Sequence, residues 1–71
     1  MRYTVIIEQR ESRFGAFVPD LPGCIAAAAT RDEAMQLIKD AIAFHIEGLI
    51  ADGESVPEPH CDFTTVEIDA A

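Results

Sequence analysis

Basic residues are scarce in this sequence, where five lysines and arginines stand against thirteen aspartates and glutamates, for a formal net charge of -8. Nucleic-acid binding needs clustered Lys and Arg to neutralise phosphates, so we expect no direct contact with nucleic acid. Long apolar runs are also missing, and charged residues interrupt the first 17 positions. This pattern excludes a transmembrane span and a signal peptide, and it predicts a cytoplasmic protein with no membrane contact.

Cysteine is nearly absent, with only Cys24 and Cys61. Neither a C-x-x-C nor an H-x-x-x-H spacing occurs, so no zinc-binding pattern is present. His60 and Cys61 are neighbours, and neighbours on an extended segment point to opposite faces, which argues against a site shared with Cys24. We expect two reduced, packed cysteines, no metal and no cofactor.

The acidic residues are concentrated in the second half. Residues 1–31 carry four arginines against three acids, whereas residues 32–71 carry one lysine against ten acids. Such a surface attracts a basic partner, although acidic residues also simply keep small proteins soluble. The candidate acids for a partner-facing surface lie on the predicted helix or in the loop after it: Asp40, Glu47, Asp52, Glu54 and Glu58.

Seventy-one residues predict a single domain over residues 1–71. So small a chain buries only about 60% of the surface that its unfolded form exposes, and a monomer would be marginal. Disulfides and metals are poorly supplied by the sequence, so we expect a homo-oligomer, a dimer or a tetramer.

Three segments are predicted as strands before a long helix. Residues 3–8 and 14–18 alternate apolar and other side chains and are joined by a polar connection, which predicts an antiparallel hairpin. Residues 24–29 can form a third strand, and residues 62–68 are expected to return to the sheet as a last strand. The order is β-β-β-α-β, an α+β fold in which one helix packs on a small, mostly antiparallel sheet.

A Pro-rich turn, residues 18–24, separates the second and third predicted strands. Pro19 and Pro22 fix φ and remove two backbone donors, so neither a helix nor a central strand can pass through. Gly23 suits the positive φ of a turn, and Asp20 is expected to bond the backbone of its own turn.

The helix is predicted to begin at Arg31. Thr30 is a favourable N-cap, and Glu33 three residues later completes a capping box in which its carboxylate reaches the Thr30 amide. The apolar residues of 31–52 span roughly 200° of the helical wheel, wider than packing on one surface requires, so part of this arc is expected to face a second subunit. Gly53, and then Pro57 and Pro59, end the helix.

These segments together resemble the HicB-type antitoxin domain. The resemblance rests on the Tyr3–Glu8 strand, the Val18–Cys24 turn, the Thr30–Ala34 helix start, and the closing residues 52–59. It implies a partial RNase-H-like fold and a partner that is a small basic HicA-like mRNA interferase with a catalytic histidine. Longer members of the family carry a C-terminal DNA-binding domain, and none is expected within these 71 residues.

No catalytic constellation is predicted. His45 lies among apolar helical neighbours with no carboxylate three or four residues away, so it is interpreted as a packed or interface histidine. RNase H chemistry needs several converging carboxylates, and no such set is evident. The favoured interpretation is a non-enzymatic HicA-binding antitoxin; the alternatives are an orphan homo-oligomeric structural or regulatory protein and, remotely, a metal-dependent nuclease.

Overall fold

The computed structural model describes residues 1–70, in which three strands precede one helix. The strands are β1 (Ile6–Arg10), β2 (Arg13–Phe17) and β3 (Ile25–Ala28), and the helix is α1 (Arg31–Ala51). The sheet order is β1-β2-β3 with both pairs antiparallel. The predicted α+β fold is therefore confirmed in its three strands and long helix.

The first hairpin is tighter than predicted. Ile6 pairs with Phe17 and Arg10 with Arg13, so the loop contains only Glu11 and Ser12. Glu11 has a φ of 54°, which a two-residue hairpin loop requires. The polar residues at positions 9, 10 and 13 were expected to belong to the connection, but cross-strand pairing extends both strands to the loop.

One face of the sheet packs against the helix. Ala16 pairs with Ile7 on one side and Ala26 on the other, so small residues line the middle of this face. The small side chains allow α1 to approach β2 and β3 and to bury Ala34 and Ile38. The buried core cluster is Ala16, Val18, Leu21, Cys24 and Ile38, with Tyr3, Val5, Ile7, Ala26, Ala41 and Ile42 packed against it.

Helix α1 is longer than the sheet it covers. Its 21 residues span about 31 Å at 1.5 Å per residue, whereas a five-residue strand spans about 17 Å. The fully buried residues of α1, Ala34 and Ile38, lie in its first half, and further along Phe44 is 78% exposed and Ile50 62% exposed. Within residues 1–70, no helix combines the length and apolar character that crossing a bilayer demands.

Both ends of α1 are capped. The Glu33 amide donates to the Thr30 hydroxyl, 3.1 Å away, but the Glu33 carboxylate accepts from that same hydroxyl instead of reaching the Thr30 amide as expected. At the other end, Gly53 has a φ of 73° and its N–H donates to the Ile50 carbonyl, while Glu54 N–H donates to the Leu49 carbonyl. This pair of bonds is a Schellman motif, which satisfies the last carbonyls of the helix.

The predicted last strand is wrong. Residues 62–68 form no strand, and their apolar side chains are largely exposed: Phe63, Val66 and Ile68. A strand needs a hydrogen-bonded neighbouring strand. The sheet contains only β1, β2 and β3 among the described residues, and none of these strands pairs with residues 62–68. Its β-branched composition gave the propensity for a strand without the pairing that makes one.

Candidate functional site

The Pro-rich turn is built from two consecutive β-turns. Leu21 N–H donates to the Val18 carbonyl and Cys24 N–H donates to the Leu21 carbonyl, at 3.1 and 3.0 Å. Pro19 and Pro22 each occupy the second position of a turn, where their fixed φ is favourable, and Gly23 has a φ of 85° at the third position of the second turn. The turn points Leu21 into the core, where it is fully buried.

Asp20 projects from this turn to the C-terminal segment, residues 52–70, and not to its own backbone as predicted. Its Oδ2 accepts hydrogen bonds from the amides of His60 and Cys61, both at 3.0 Å. The side chain of Asp20 is fully buried. The buried carboxylate therefore holds two consecutive amides that lie 40 and 41 residues further along the chain.

Two further hydrogen bonds hold the same segment against the chain's N-terminus. The Tyr3 hydroxyl donates to the Pro57 carbonyl at 2.6 Å, and the Thr4 hydroxyl donates to the Cys61 carbonyl at 2.8 Å. Residues 57–61 are thus fixed at three points, whereas residues 62–70 are exposed. Hydrogen bonds between distant side chains and its own backbone therefore hold the C-terminal segment in place, and strand pairing does not.

The side chains of His60 and Cys61 converge on Asp20. Their potential ligand atoms and a carboxylate oxygen of Asp20 all lie within 4.8 Å of one another. The expectation that adjacent side chains point apart is wrong here, because the amides of both residues donate to the same Asp20 oxygen and both side chains lie near that carboxylate. Cys24, the third residue weighed in the sequence, is buried in the core instead.

Protonation in this cluster follows from its hydrogen bonds. The nearby Cys61 thiol, together with the backbone amides of Cys61 and His60, favours the ionised carboxylate and lowers the pKa of Asp20 despite burial. The proximity of the same carboxylate, aided by desolvation, raises the pKa of Cys61. At neutral pH the cluster therefore holds an ionised aspartate beside a protonated thiol.

His60 sits at the solvent side of the cluster. Its Nδ1 is 2.9 Å from Asp20 Oδ1 and 3.2 Å from the Glu58 carbonyl oxygen. The ring is oriented toward the Glu58 carbonyl, so the contact with Oδ1 has the distance of an ion pair without the alignment of a hydrogen bond. Asp20 Oδ1 is therefore a buried acceptor without a donor.

The five candidate acids are all exposed, and their carboxylates are not part of this cluster, although the Glu58 backbone carbonyl contacts His60. Asp40 and Glu47 lie seven residues, or about two turns, apart on one side of α1, and Asp40 accepts a hydrogen bond from Gln36 at 3.3 Å. Asp52 is the C-cap of α1. We call this set the acidic face: Asp40, Glu47, Asp52, Glu54 and Glu58.

A shallow depression adjoins the acidic face on the part of α1 beyond the sheet. It is lined by Phe44, His45, Gly48, Leu49 and Asp52. His45 is half-buried and shares this depression with the Asp52 carboxylate, which lies seven residues away along α1. An exposed aromatic ring beside an acidic residue is an arrangement suited to binding another protein.

Three antiparallel strands followed by one long helix define a small α+β domain. The model of the family described as "HicB_like antitoxin of bacterial toxin-antitoxin system" matches residues 3–68. The chain belongs to this HicB-like antitoxin family, as the sequence resemblance indicated.

Individual relatives and a solved structure agree with this assignment. The chain is 45% identical over 58 residues to a 14.9 kDa protein of Haemophilus phage HP1, covering 82% of this chain and 44% of that protein. It is 40% identical over 67 residues to a UPF0150 protein of Thermoplasma acidophilum, covering 93% and 97%. A chain of the "HicA3 and HicB3 toxin-antitoxin complex" is similar with a TM-score of 0.71 and 32% identity, over 84% of this chain and 70% of that one.

Proposed function

We propose that this chain is an antitoxin that binds a small, basic HicA-like mRNA interferase and neutralises it by protein–protein contact. The observation that carries the proposal is the similarity to a chain of the HicA3 and HicB3 complex, at 32% identity with a TM-score of 0.71. Membership of the HicB-like antitoxin family supports the same role. The protein acts by binding, and its own side chains perform no chemistry.

The acidic face supplies the electrostatic part of this binding. Its five carboxylates are exposed, and the half of the chain that contains them carries ten acids and one lysine. Complementary charge steers a basic partner into the correct orientation and increases the rate of association. Phe44, 78% exposed beside Asp52, offers the aromatic anchor that such interfaces place at their centre.

Exposed apolar residues also favour a second role, assembly with copies of itself. Leu37 and Phe44, which belong to the wide apolar arc of α1, are 46% and 78% exposed, and Ile50, outside that arc, is 62% exposed. An orphan homo-oligomer without a toxin would cover these residues. Sedimentation at micromolar concentration tests the self-assembly, since a monomer contradicts it.

The direct test is co-expression with a basic HicA-like protein encoded beside this chain. We expect a complex that survives purification and restores growth of cells expressing the toxin. Absence of both complex and growth rescue would contradict the antitoxin proposal. Cleavage of RNA by the purified chain alone would contradict its non-enzymatic character.

A charge-reversed variant tests the acidic face in particular. Asp40→Lys with Glu47→Lys removes two exposed carboxylates and adds two positive charges without altering the core, so the fold should be retained. We expect the affinity for the toxin to fall about tenfold or more, mainly through slower association at low salt. Glu8→Lys with Glu11→Lys, the same change of charge on the β1–β2 hairpin, is the matched control and should bind normally. Equal effects of the two variants would show that the acidic face has no special part in binding.

A further inference from the structure

The Asp20 carboxylate has one satisfied and one unsatisfied oxygen. Oδ2 accepts two amide hydrogen bonds, whereas Oδ1 is buried with no hydrogen-bond donor among the described residues. A buried acceptor without a partner is costly, and native structures contain few of them. The two amides also fix the orientation of the carboxylate, so Oδ1 is held facing the His60 ring, 2.9 Å from Nδ1.

We propose that Asp20, His60 and Cys61 bind a zinc ion that joins the C-terminal segment to the Pro-rich turn. The three side chains offer one oxygen, one nitrogen and one sulfur, all within 4.8 Å of one another. Thiolate and imidazole ligands favour Zn²⁺ over Mg²⁺ and Ca²⁺, which require oxygen ligands. This inference is independent of the proposed toxin binding, because the acidic face contributes no ligand.

The geometry requires only a small closure of the cluster. At zinc–ligand distances of about 2.0–2.3 Å, tetrahedral ligand atoms lie about 3.5 Å apart. His60 Nδ1 and Asp20 Oδ1 are already 2.9 Å apart, so only the larger separations in the cluster, at most 4.8 Å, must close by about 1 Å, a distance that side-chain rotation covers. His60 is free to rotate because its side chain is 77% exposed, and the buried Asp20 stays fixed by its two amide bonds. Such outer hydrogen bonds, which orient a ligating carboxylate, are typical of protein metal sites.

Charge and proton balance also suit a divalent ion. When Zn²⁺ binds, the Cys61 thiol gives its proton to the buffer, and the metal–sulfur bond replaces the S–H bond. The two negative charges of Asp20 and the Cys61 thiolate then neutralise the ion, with His60 as a neutral ligand. The fourth position faces solvent on the exposed side of His60 and takes a water molecule.

The test uses the whole 71-residue chain, reduced, with zinc and then cobalt. We expect one zinc per chain by calorimetry, release of about one proton per zinc, and a thiolate-to-cobalt charge-transfer absorption in the near ultraviolet. His60→Gln and Cys61→Ser should each weaken binding about tenfold or more. The controls His45→Gln and Cys24→Ala replace the other histidine and the other cysteine, which lie outside the cluster. Both variants should bind zinc like the unaltered chain.

Three results would overturn the proposal. The first is zinc binding that is equal in His60→Gln, Cys61→Ser and the controls, which would indicate adventitious sites on the acidic surface. The second is a cobalt complex without thiolate absorption. The third is the absence of zinc binding by the unaltered chain while its circular dichroism shows a folded protein. Since Asp20 also holds the C-terminal segment, its replacement is not used as the diagnostic variant.

Discussion

Replacing Leu21 with alanine is expected to destabilise the protein severely, although Leu21 lies in a turn. Its side chain is fully buried between the Pro-rich turn and α1, in the cluster that contains Val18, Cys24 and Ile38. Truncating a buried leucine costs about 3–4 kcal/mol through lost transfer free energy and the cavity left behind. A domain of this size has a free energy of unfolding of about 4–10 kcal/mol, so a third or more of its stability would be lost.

Urea unfolding followed by far-ultraviolet circular dichroism measures this loss, with protein concentration held constant because any oligomer would couple to unfolding. The melting temperature should fall by about 15–25 °C. Ile25→Ala is the matched control, since Ile25 lies four residues later but is 71% exposed, and it should change stability by less than about 0.5 kcal/mol. A loss for Leu21→Ala of less than about 1 kcal/mol, or one equal to that of Ile25→Ala, would refute the assignment of the turn to the core.

Three further substitutions test the turn and the helix start. Asp20→Asn should destabilise the folded protein at neutral pH and less so below about pH 4. The pKa of Asp20 is lowered in the folded chain, so the stabilisation from its ionised carboxylate is lost as pH falls through that lowered value. If urea titrations gave the same difference in free energy of unfolding between variant and unaltered chain at pH 7 and pH 3, this would be contradicted. Gly23→Ala should lower the free energy of unfolding by about 1 kcal/mol, because the φ of Gly23 is 85° and an added Cβ meets no neighbouring atom, so only backbone strain contributes. The control in the same thermal melts is Gly48→Ala, a helical position where alanine should stabilise by a similar amount. Thr30→Ala should cost about 1 kcal/mol by removing the N-cap, in the same melts.

Local sequence patterns predicted the fold well. Alternation in residues 14–18, the proline positions and the Thr30–Glu33 pair each depend on neighbouring residues alone, and each led to the correct element within a residue or two. The prediction of the hairpin was less accurate. Strand pairing extends β1 and β2 toward the loop by Gln9, Arg10 and Arg13, and these residues show no apolar alternation. The last strand failed for the related reason that a strand exists only with a partner.

The candidate cluster could not be predicted, because its members are separated by 40 residues. No periodicity joins Asp20 to His60 and Cys61. The one available signal was an acidic residue between two prolines. Because proline has no backbone N–H, few amides in this turn can donate a hydrogen bond to the Asp20 carboxylate. That signal indicates that Asp20 bonds elsewhere, but it does not say where.

The sequence by itself determined the family, the order of the first four elements, the limits of the helix and the concentration of acid in the second half, because these depend on composition and on spacings of a few residues. Only the tertiary structure decided that Leu21 is core, that the end of α1 extends past the sheet with Phe44 exposed, and that Asp20 holds the C-terminal segment. These features depend on the relative lengths of helix and strand and on contacts between distant residues. Such contacts form only when the chain folds, so they leave no pattern in the local sequence.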